Sequence, residues 1–338
     1  MSAEHLALGP GREFDLIRGV AARLGAAAVG LGDDCAVLPL GGTNLALSID
    51  ASLEGVHFRL EWFTYEEIGW RACMAALSDL AAEGARALGV LVSLGAPGEG
   101  ALPAAVAAGD DGGWRASATG RRHDIEAIMA GVAAAAARVG AKVLGGDMLR
   151  SDKYLVDVCA VGTCDRPVRR AGARPGDGLW VTGELGGPRL ALRGWQAGRR
   201  PEGDLARRFA RPDARVPAGL WLAQHGATAM IDVSDGLASD ARHLGAASGL
   251  GIAMHLERVP CWIGADPLLA VASGEEYELL AALPPGFGAP QARAFHEVHD
   301  LPLTRVGTCV PGEPGALTLT DRGVAVTAPR GYDHFAEP

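Results

Sequence analysis

Apolar residues recur at Phe14, Ile17, Val20, Ala21 and Leu24. Steps of three and four predict an amphipathic helix over residues 13–24. A glycine turn, Gly30-Leu31-Gly32-Asp33-Asp34, breaks the pattern before a short apolar run from Cys35 to Leu40. Leu45 to Ile49 reads as a buried strand ending on Asp50, and Thr64 to Ala76 as a helix that Leu77-Ser78-Asp79-Leu80 continues or restarts. Leu88 to Leu94 reads as a strand. From Gly98 to Arg122 no period survives, and Gly109–Gly120 is expected to be an exposed, mobile insertion, dispensable for folding. Asp124 can cap a helix running to about Val139, helped by the high helix propensity of Ala133–Ala137.

Val143-Leu144 lead into Gly145-Gly146-Asp147, and Tyr154 to Val161 forms another strand pattern. Around Cys164 to Asp177 the composition shifts to Arg, Pro and Gly, which places a domain boundary there and divides the chain into residues 1–164 and 165–338. Beyond it come a strand at Leu179–Thr182, a glycine turn at Gly183–Gly187, a helix at Val216–His225 and a short strand at Ala229–Asp232. That strand feeds Ser234-Asp235-Gly236 and a helix to about Ala247, while Leu268–Val271, Leu279–Leu283 and Val324–Val326 supply further core. Strands and helices alternate in both halves, which predicts two mixed α/β (α+β) domains.

Composition narrows the function. The net charge of −9 argues against nucleic acid, since a domain neutralising many phosphates carries a basic surface. The short basic clusters Arg121-Arg122, Arg199-Arg200 and Arg207-Arg208 read as solvated surface, with Arg169-Arg170 set apart as a candidate site. Lys142 and Lys153 are the only lysines, and neither lies in a GxxxxGK[ST] phosphate loop. No GxGxxG follows a strand pattern. The six cysteines form no CxxC pair and read as reduced thiols of a cytoplasmic protein. No apolar run is long enough for a membrane span, and no secretory leader is expected.

The informative feature is a recurrent placement of carboxylates. Asp33-Asp34 follow a glycine turn, Asp50 ends a strand pattern, and Asp79 follows a serine in a helix. Asp147 follows a double glycine, while Asp232 and Asp235 flank Ser234 between strand and helix. Taken singly, each is more often structural than catalytic, Asp232 and Asp235 as helix caps and Asp33 or Asp34 as turn residues. Taken together, with two lysines in the chain to pair them, they favour a hard cation with oxygen ligands. Mg²⁺ fits best, because it takes few carboxylates and completes its shell with water and substrate phosphates.

An ordered series of motifs resembles the thiamine-monophosphate kinase family. The N-terminal half contributes Gly11-Arg12-Glu13-Phe14-Asp15-Leu16-Ile17, Gly32-Asp33-Asp34, Ser48-Ile49-Asp50, Glu54-Gly55-Val56-His57-Phe58 and Leu77-Ser78-Asp79-Leu80-Ala81-Ala82-Glu83-Gly84-Ala85. Gly145-Gly146-Asp147, Arg170-Ala171-Gly172-Ala173-Arg174-Pro175-Gly176-Asp177, Ile231-Asp232-Val233-Ser234-Asp235-Gly236 and Gly331-Tyr332-Asp333-His334-Phe335 continue it in order. The resemblance implies an aminoimidazole-ribonucleotide synthetase-like architecture, with an N-terminal sheet domain used for homodimerisation and a C-terminal α/β domain. It implies transfer of the γ-phosphoryl of ATP to thiamine monophosphate, with no membrane or nucleic-acid partner. By the same resemblance Asp34, Ser48, Asp50, Asp79, Asp147, Asp232 and Asp235 would hold several Mg²⁺ ions. Gly146, Asp147, Arg170 and Ser234 would contact ATP, and His57, Glu275 and Tyr332 the thiamine phosphate. No dedicated catalytic base is implied, because the acceptor phosphate is already ionised at neutral pH.

Two positions depart from the family pattern. Ile49 stands where a hydroxyl residue is usual, and Ser273-Gly274-Glu275-Glu276-Tyr277-Glu278-Leu279 replaces Gly-Gly-Glu-Asp-Tyr-Glu-Leu. The extra methylene of Glu276 and the Cβ of Ser273 are expected to reshape the acceptor pocket. Two other readings stand beside the first: a related ATP-using enzyme with a different acceptor, and a catalytically impaired nucleotide-binding dimer.

Overall fold

The computed structural model describes residues 5–98 and 121–335, so the expected insertion at 109–120 lies outside the described residues. The first half builds helix α1 (Arg12–Leu24), strands β1 (Ala36–Leu40) and β2 (Thr43–Leu53), helix α2 (Tyr65–Ala82), strand β3 (Arg86–Pro97), helix α3 (Arg121–Arg138) and strands β4 (Lys142–Ser151) and β5 (Leu155–Cys164). The strands form one sheet in the order β1-β2-β5-β3-β4, antiparallel except for the β3–β4 pair, which the α3 crossover makes parallel.

Helix α2 organises the molecule. Thr64 caps it with a full capping box: its hydroxyl accepts from the Glu67 N–H at 3.2 Å, and the Glu67 carboxylate accepts from the Thr64 N–H at 2.9 Å. The helix does not restart at Leu77 but runs unbroken through Ser78 and Asp79. Its residues are buried on nearly every side, because it lies between the N-terminal sheet, α3 and the second domain. Contact with α3 is made backbone to backbone. A Cβ on Gly69 would sit 1.9 Å from the Ile128 carbonyl oxygen, and one on Gly131 would sit 1.9 Å from that of Glu66.

The second half contains β6 (Gly178–Thr182), α4 (Gly187–Gln196), α5 (Gly203–Ala210), α6 (Val216–Gln224), β7 (Ala229–Asp232), α7 (Leu237–Ala247) and β8 (Gly251–His255). It continues with α8 (Pro267–Val271), β9 (Leu279–Leu283), α9 (Ala289–His299), β10 (Leu303–Val310), β11 (Leu317–Asp321) and β12 (Val324–Val326). Its mixed sheet has the order β12-β11-β8-β10-β6-β9-β7. One face of that sheet (Trp180, Met230, Leu279, Ala281) shares a continuous core with α2, and the other (Leu179, Val181, Ile231, Leu280) packs with α7 residues Leu237, Ala241 and Leu244. The two halves are therefore welded by apolar burial, with β7 docked against α2.

Three local expectations change. Asp124 is not a cap but lies inside α3, buried, where it accepts a 3.0 Å hydrogen bond from the Tyr154 hydroxyl. Val324 belongs to an exposed edge strand rather than the core. Strands β2 and β4 run on through Asp50 and Asp147 instead of ending there. No helix among the described residues is long and apolar enough to cross a membrane.

Candidate functional site

Four segments meet at one acidic cluster. The turn before β1 supplies Asp34, β2 supplies Ser48 and Asp50, the C-terminal half of α2 supplies Asp79, and the end of β7 supplies Asp232. One carboxylate oxygen from each of Asp34, Asp79 and Asp232 lies within 4.8 Å of the other two. Neutral hydrogen-bond donors hold two of them: the Ser48 hydroxyl donates to Asp79, and the Ser78 hydroxyl donates to Asp232 at 2.7 Å. Arg170 forks onto the third, with Nε and Nη2 at 3.0 and 2.7 Å from Asp34, while its backbone N–H reaches Asp33 at 3.0 Å.

The electrostatics of this cluster are those of a cation site. Burial, reinforced by Asp232, Asp34 and Asp50, pushes the Asp79 carboxyl well above the usual carboxylate range. Burial and Asp34 raise Asp232 to about 7, and burial raises Asp50 to about 6. Burial opposes the Arg170 charge, yet Asp34 outweighs it and keeps the guanidinium firmly protonated. A single arginine cannot neutralise four converging carboxylates, so a divalent cation with oxygen ligands matches the donor set.

Beside the cluster, Asp235 follows β7 and is raised to about 6 by burial, with Glu13 and Asp333 adding to the effect. The Asp235 backbone carbonyl accepts from the Tyr332 N–H at 3.0 Å. Arg12 donates its backbone N–H to Asp333 at 2.7 Å, so α1 and the 331–335 segment lie over this end of the site. Ser234 sits in the same turn, where its carbonyl accepts from the Glu275 N–H at 2.7 Å. His57 is pushed down by burial and by His334, 5.1 Å away ring to ring, while Glu275 acts to raise it. Tyr332 is raised by burial, then by Glu275 and Asp235. His57, Glu275 and Tyr332 thus share one neighbourhood next to Asp50, whose carboxyl also feels Glu275.

Strand register splits the Gly146-Asp147 pair. Gly146 falls in the row of Val92, Val158 and Asp50, on the face that looks toward α2. Any Cβ there would lie 1.8 Å from the Val92 carbonyl oxygen, so the position requires glycine. Asp147 alternates to the opposite face with Ser93 and Asp157, exposed, and among the described residues accepts only from the Met148 N–H at 2.9 Å. The chain therefore brings Asp34, Ser48, Asp50, Asp79 and Asp232 together and leaves Asp147 outside that cluster.

The residues that depart from the family pattern turn their side chains away from the acceptor neighbourhood, Ser273 included, which is buried and accepts from the Arg189 N–H at 3.3 Å. Ile49 is 74% exposed on the outer face of the N-terminal sheet, opposite Ser48 and Asp50. Glu276 is buried in the second domain, where it accepts from the Gly186 N–H at 2.5 Å and from Arg208 at 3.1 Å. Arg208, read from sequence as solvated surface, is in fact buried between Glu276 and Glu278, and Arg215 forks onto Glu278 at 2.6 and 2.9 Å. Three site residues escape the sequence reading: Arg71, which donates to Glu275 at 2.8 Å; Asp240, buried and accepting from the Gly236 N–H at 3.1 Å; and Glu83, fully buried. Arg71 had one signal, a lone charge in the apolar run of α2. Glu83 had another, its place inside the Leu77–Ala85 motif, and Asp240 had none.

A mixed N-terminal sheet, a seven-stranded C-terminal sheet and an acidic cluster at their junction define the AIR synthase type of two-domain protein. Residues 32–164 match the "AIR synthase related protein, N-terminal domain" and residues 174–320 the corresponding C-terminal domain. A thiamine-monophosphate kinase of Mycobacterium tuberculosis is 34% identical over 322 residues, covering 92% of this chain and 86% of that protein. That of Halobacterium salinarum is 37% identical over 260 residues, covering 75% and 80%. The solved structure of AaThiL complexed with AMPPCP and TMP superposes with a TM-score of 0.79 at 29% identity, covering 96% of this chain and 97% of that one. The chain belongs to the thiamine-monophosphate kinase family.

Proposed function

We propose that this protein transfers the γ-phosphoryl group of ATP to thiamine monophosphate, giving thiamine diphosphate and ADP. The observation that carries this reading is the meeting of Asp34, Asp79 and Asp232, drawn from both halves of the chain, beside a second neighbourhood of His57, Glu275 and Tyr332. Relatives at 34 and 37% identity bear that activity in their names, and AaThiL was solved with AMPPCP and TMP.

Asp34, Asp50, Asp79 and Asp232, with the Ser48 hydroxyl, would hold Mg²⁺, and Asp235 a further ion. Bound there, Mg²⁺ supplies charge neutralisation and alignment of the phosphates for in-line transfer. The remaining work falls to the chain. Gly146 gives close backbone approach for ATP, Arg170 adds positive charge while fixing Asp34, and Ser234 offers a hydroxyl. His57, kept neutral by burial, presents its ring to the acceptor with Glu275 and Tyr332. The acceptor phosphate carries its own nucleophilic oxygen, so these groups orient it rather than deprotonate it. Asp147, on the outer face of the N-terminal sheet, would act in ATP and metal binding only at the surface where a second copy docks. In this reading residues 1–164 carry most of the metal site and the dimer face, and residues 165–338 carry Asp232, Asp235 and the acceptor loop. The enzyme works as a cytoplasmic homodimer.

The test is turnover of ATP with thiamine monophosphate, followed as thiamine diphosphate, with and without a chelator. Magnesium-dependent product is expected, with free thiamine a poor acceptor because it lacks the phosphate nucleophile. Phosphorylation of thiamine in preference to its monophosphate would overturn the reading.

A further inference from the structure

Two of the polar side chains that helix α2 sends across to the second domain end at the site. Ser78 meets Asp232, and Arg71 meets Glu275. Seven residues are close to two full turns, so both leave the same face of the helix, about 10.5 Å apart along its axis. The helix therefore links the acidic cluster to the Glu275 neighbourhood as one rigid element.

Arg71 is tightly held. Its side chain is 7% exposed, and its guanidinium lies 4.8 Å from the ring centres of both Phe63 and Phe209. It also donates to the Phe209 carbonyl, so its other Nη group is aimed at Glu275. Glu275 is held from the other side. Its backbone is left-handed (φ 56°), as is that of Tyr277 (φ 52°), a conformation that side-chain-bearing residues adopt only when neighbours impose it. The Ser234 carbonyl accepts from the Glu275 N–H, and the Val233 carbonyl accepts from the N–H groups of Glu276 and Tyr277 at 3.1 and 3.0 Å. Glu275 remains 35% exposed, and among the described residues its Oε2 accepts no hydrogen bond. One carboxylate oxygen is thus pinned and the other presented.

We propose that Arg71 is a positioning residue for the phosphoryl acceptor, fixing Glu275 so that its second oxygen faces the cationic ring portion of a heteroaromatic phosphate ester. The inference rests on the proposed reading of Glu275 as an acceptor contact. Its chemistry is simple: the guanidinium limits rotation of the carboxylate and balances its charge beside Asp50, which otherwise feels Glu275 directly. Lysine keeps the charge but cannot hold the Phe209 carbonyl and Glu275 together in one planar fork.

The test compares wild type with Arg71→Met, Arg71→Lys, Glu275→Gln and the Arg71→Met/Glu275→Gln double variant. It measures KM for each substrate and calorimetric binding of thiamine monophosphate in the absence of ATP. Arg71→Met, which preserves packing between the two rings, should weaken acceptor KM and Kd about tenfold or more while leaving KM for ATP unchanged. Arg71→Lys should fall between, and in the Glu275→Gln background Arg71→Met should add nothing. Unchanged acceptor binding, equal shifts in both KM values, or effects that multiply in the double variant would each overturn the proposal. If Arg71→Met melts early, the Lys variant alone decides by the same split. Absence of turnover and acceptor binding in wild type would instead overturn the reading of the function, which keeps the two failures distinct.

Discussion

The hydroxyl of Ser78, in the C-terminal half of α2, donates to Asp232 at the end of β7 at 2.7 Å, and both groups are buried. This bond ties the two halves of the chain at the carboxylate they share. It also favours the ionised form of Asp232, against burial and Asp34, which raise it. Ser78→Ala should therefore leave the fold intact but lower kcat at neutral pH by about tenfold to a hundredfold, the scale of one hydrogen bond to a charged group. The defect should shrink at pH 8.5 with saturating Mg²⁺, where Asp232 ionises without help. A kcat profile against Mg²⁺ at pH 7 and 8.5 checks both statements.

Asp232 and Asp147 should respond differently to the same change. Asp232 is crowded by Asp34 and Asp79, so Asp232→Asn removes a repelling charge and should leave the metal-free protein no less stable. Its kcat should drop by roughly two to four powers of ten through loss of an anionic ligand. Among the described residues Asp147 has no such neighbours, so Asp147→Asn should leave the metal-free melting temperature unmoved. Melting temperature and kcat of both variants, measured with and without Mg²⁺, test the contrast. A loss of about 1 kcal/mol for Asp232→Asn with activity kept would make that residue structural rather than a metal ligand.

How far the sequence reaches is visible in particular residues. Glycine turns and strand-to-helix junctions announce Asp34, Asp232 and Asp235, because a carboxylate at such a place follows from local chain geometry. Strand parity was not legible at Gly146-Asp147, since the β3–β4 register skips Leu144 just before the pair and the strand continues past it. Nor was the pairing of Arg208 and Arg215 with Glu276 and Glu278, or of Arg71 with Glu275. Those partners lie far apart in sequence, and tertiary packing alone decides which arginine of a helix turns inward. Ile49 shows the converse: a position that departs from the motif carries its side chain on the opposite side of the sheet from Ser48 and Asp50.

That outer face makes its own prediction. Ile49 and Leu91 flank Cys159 in register on neighbouring strands, and Ile49, Leu91 and Leu144 are all exposed. An apolar surface of this kind on a sheet marks an interaction site, and a second copy of the chain is the expected occupant. Ile49→Asp with Leu91→Asp should convert a dimer to a monomer, read by sedimentation velocity. Replacing the equally exposed Val324, on the edge strand of the other sheet, should leave the assembly unchanged.

Metal and pH should act on stability together. Burial holds Asp232 at about 7 and Asp50 and Asp235 at about 6, all above the usual value for an unfolded aspartate. Raised acids bind more protons in the folded state, so without metal their contribution is greatest at low pH and is lost as pH rises from about 4 through 7. His243 works in the other direction. Burial, with Arg170, Arg18 and Arg242, lowers it to about 3, so its contribution is present above 6.5 and lost on acidification. It accepts from the Gly9 N–H at 3.2 Å, packs on Phe14 and is not one of the proposed metal ligands, so it titrates both with and without metal. The difference in melting temperature between Mg²⁺ and chelator therefore isolates the carboxylates. It should be large at pH 8, where the ionised cluster repels itself, and small at pH 5, where protons already neutralise it and compete with the ion. Thermal melts across that range, with Asp79→Asn as the control that flattens the curve, measure it. A difference that grew on acidification would place the stabilising ion elsewhere.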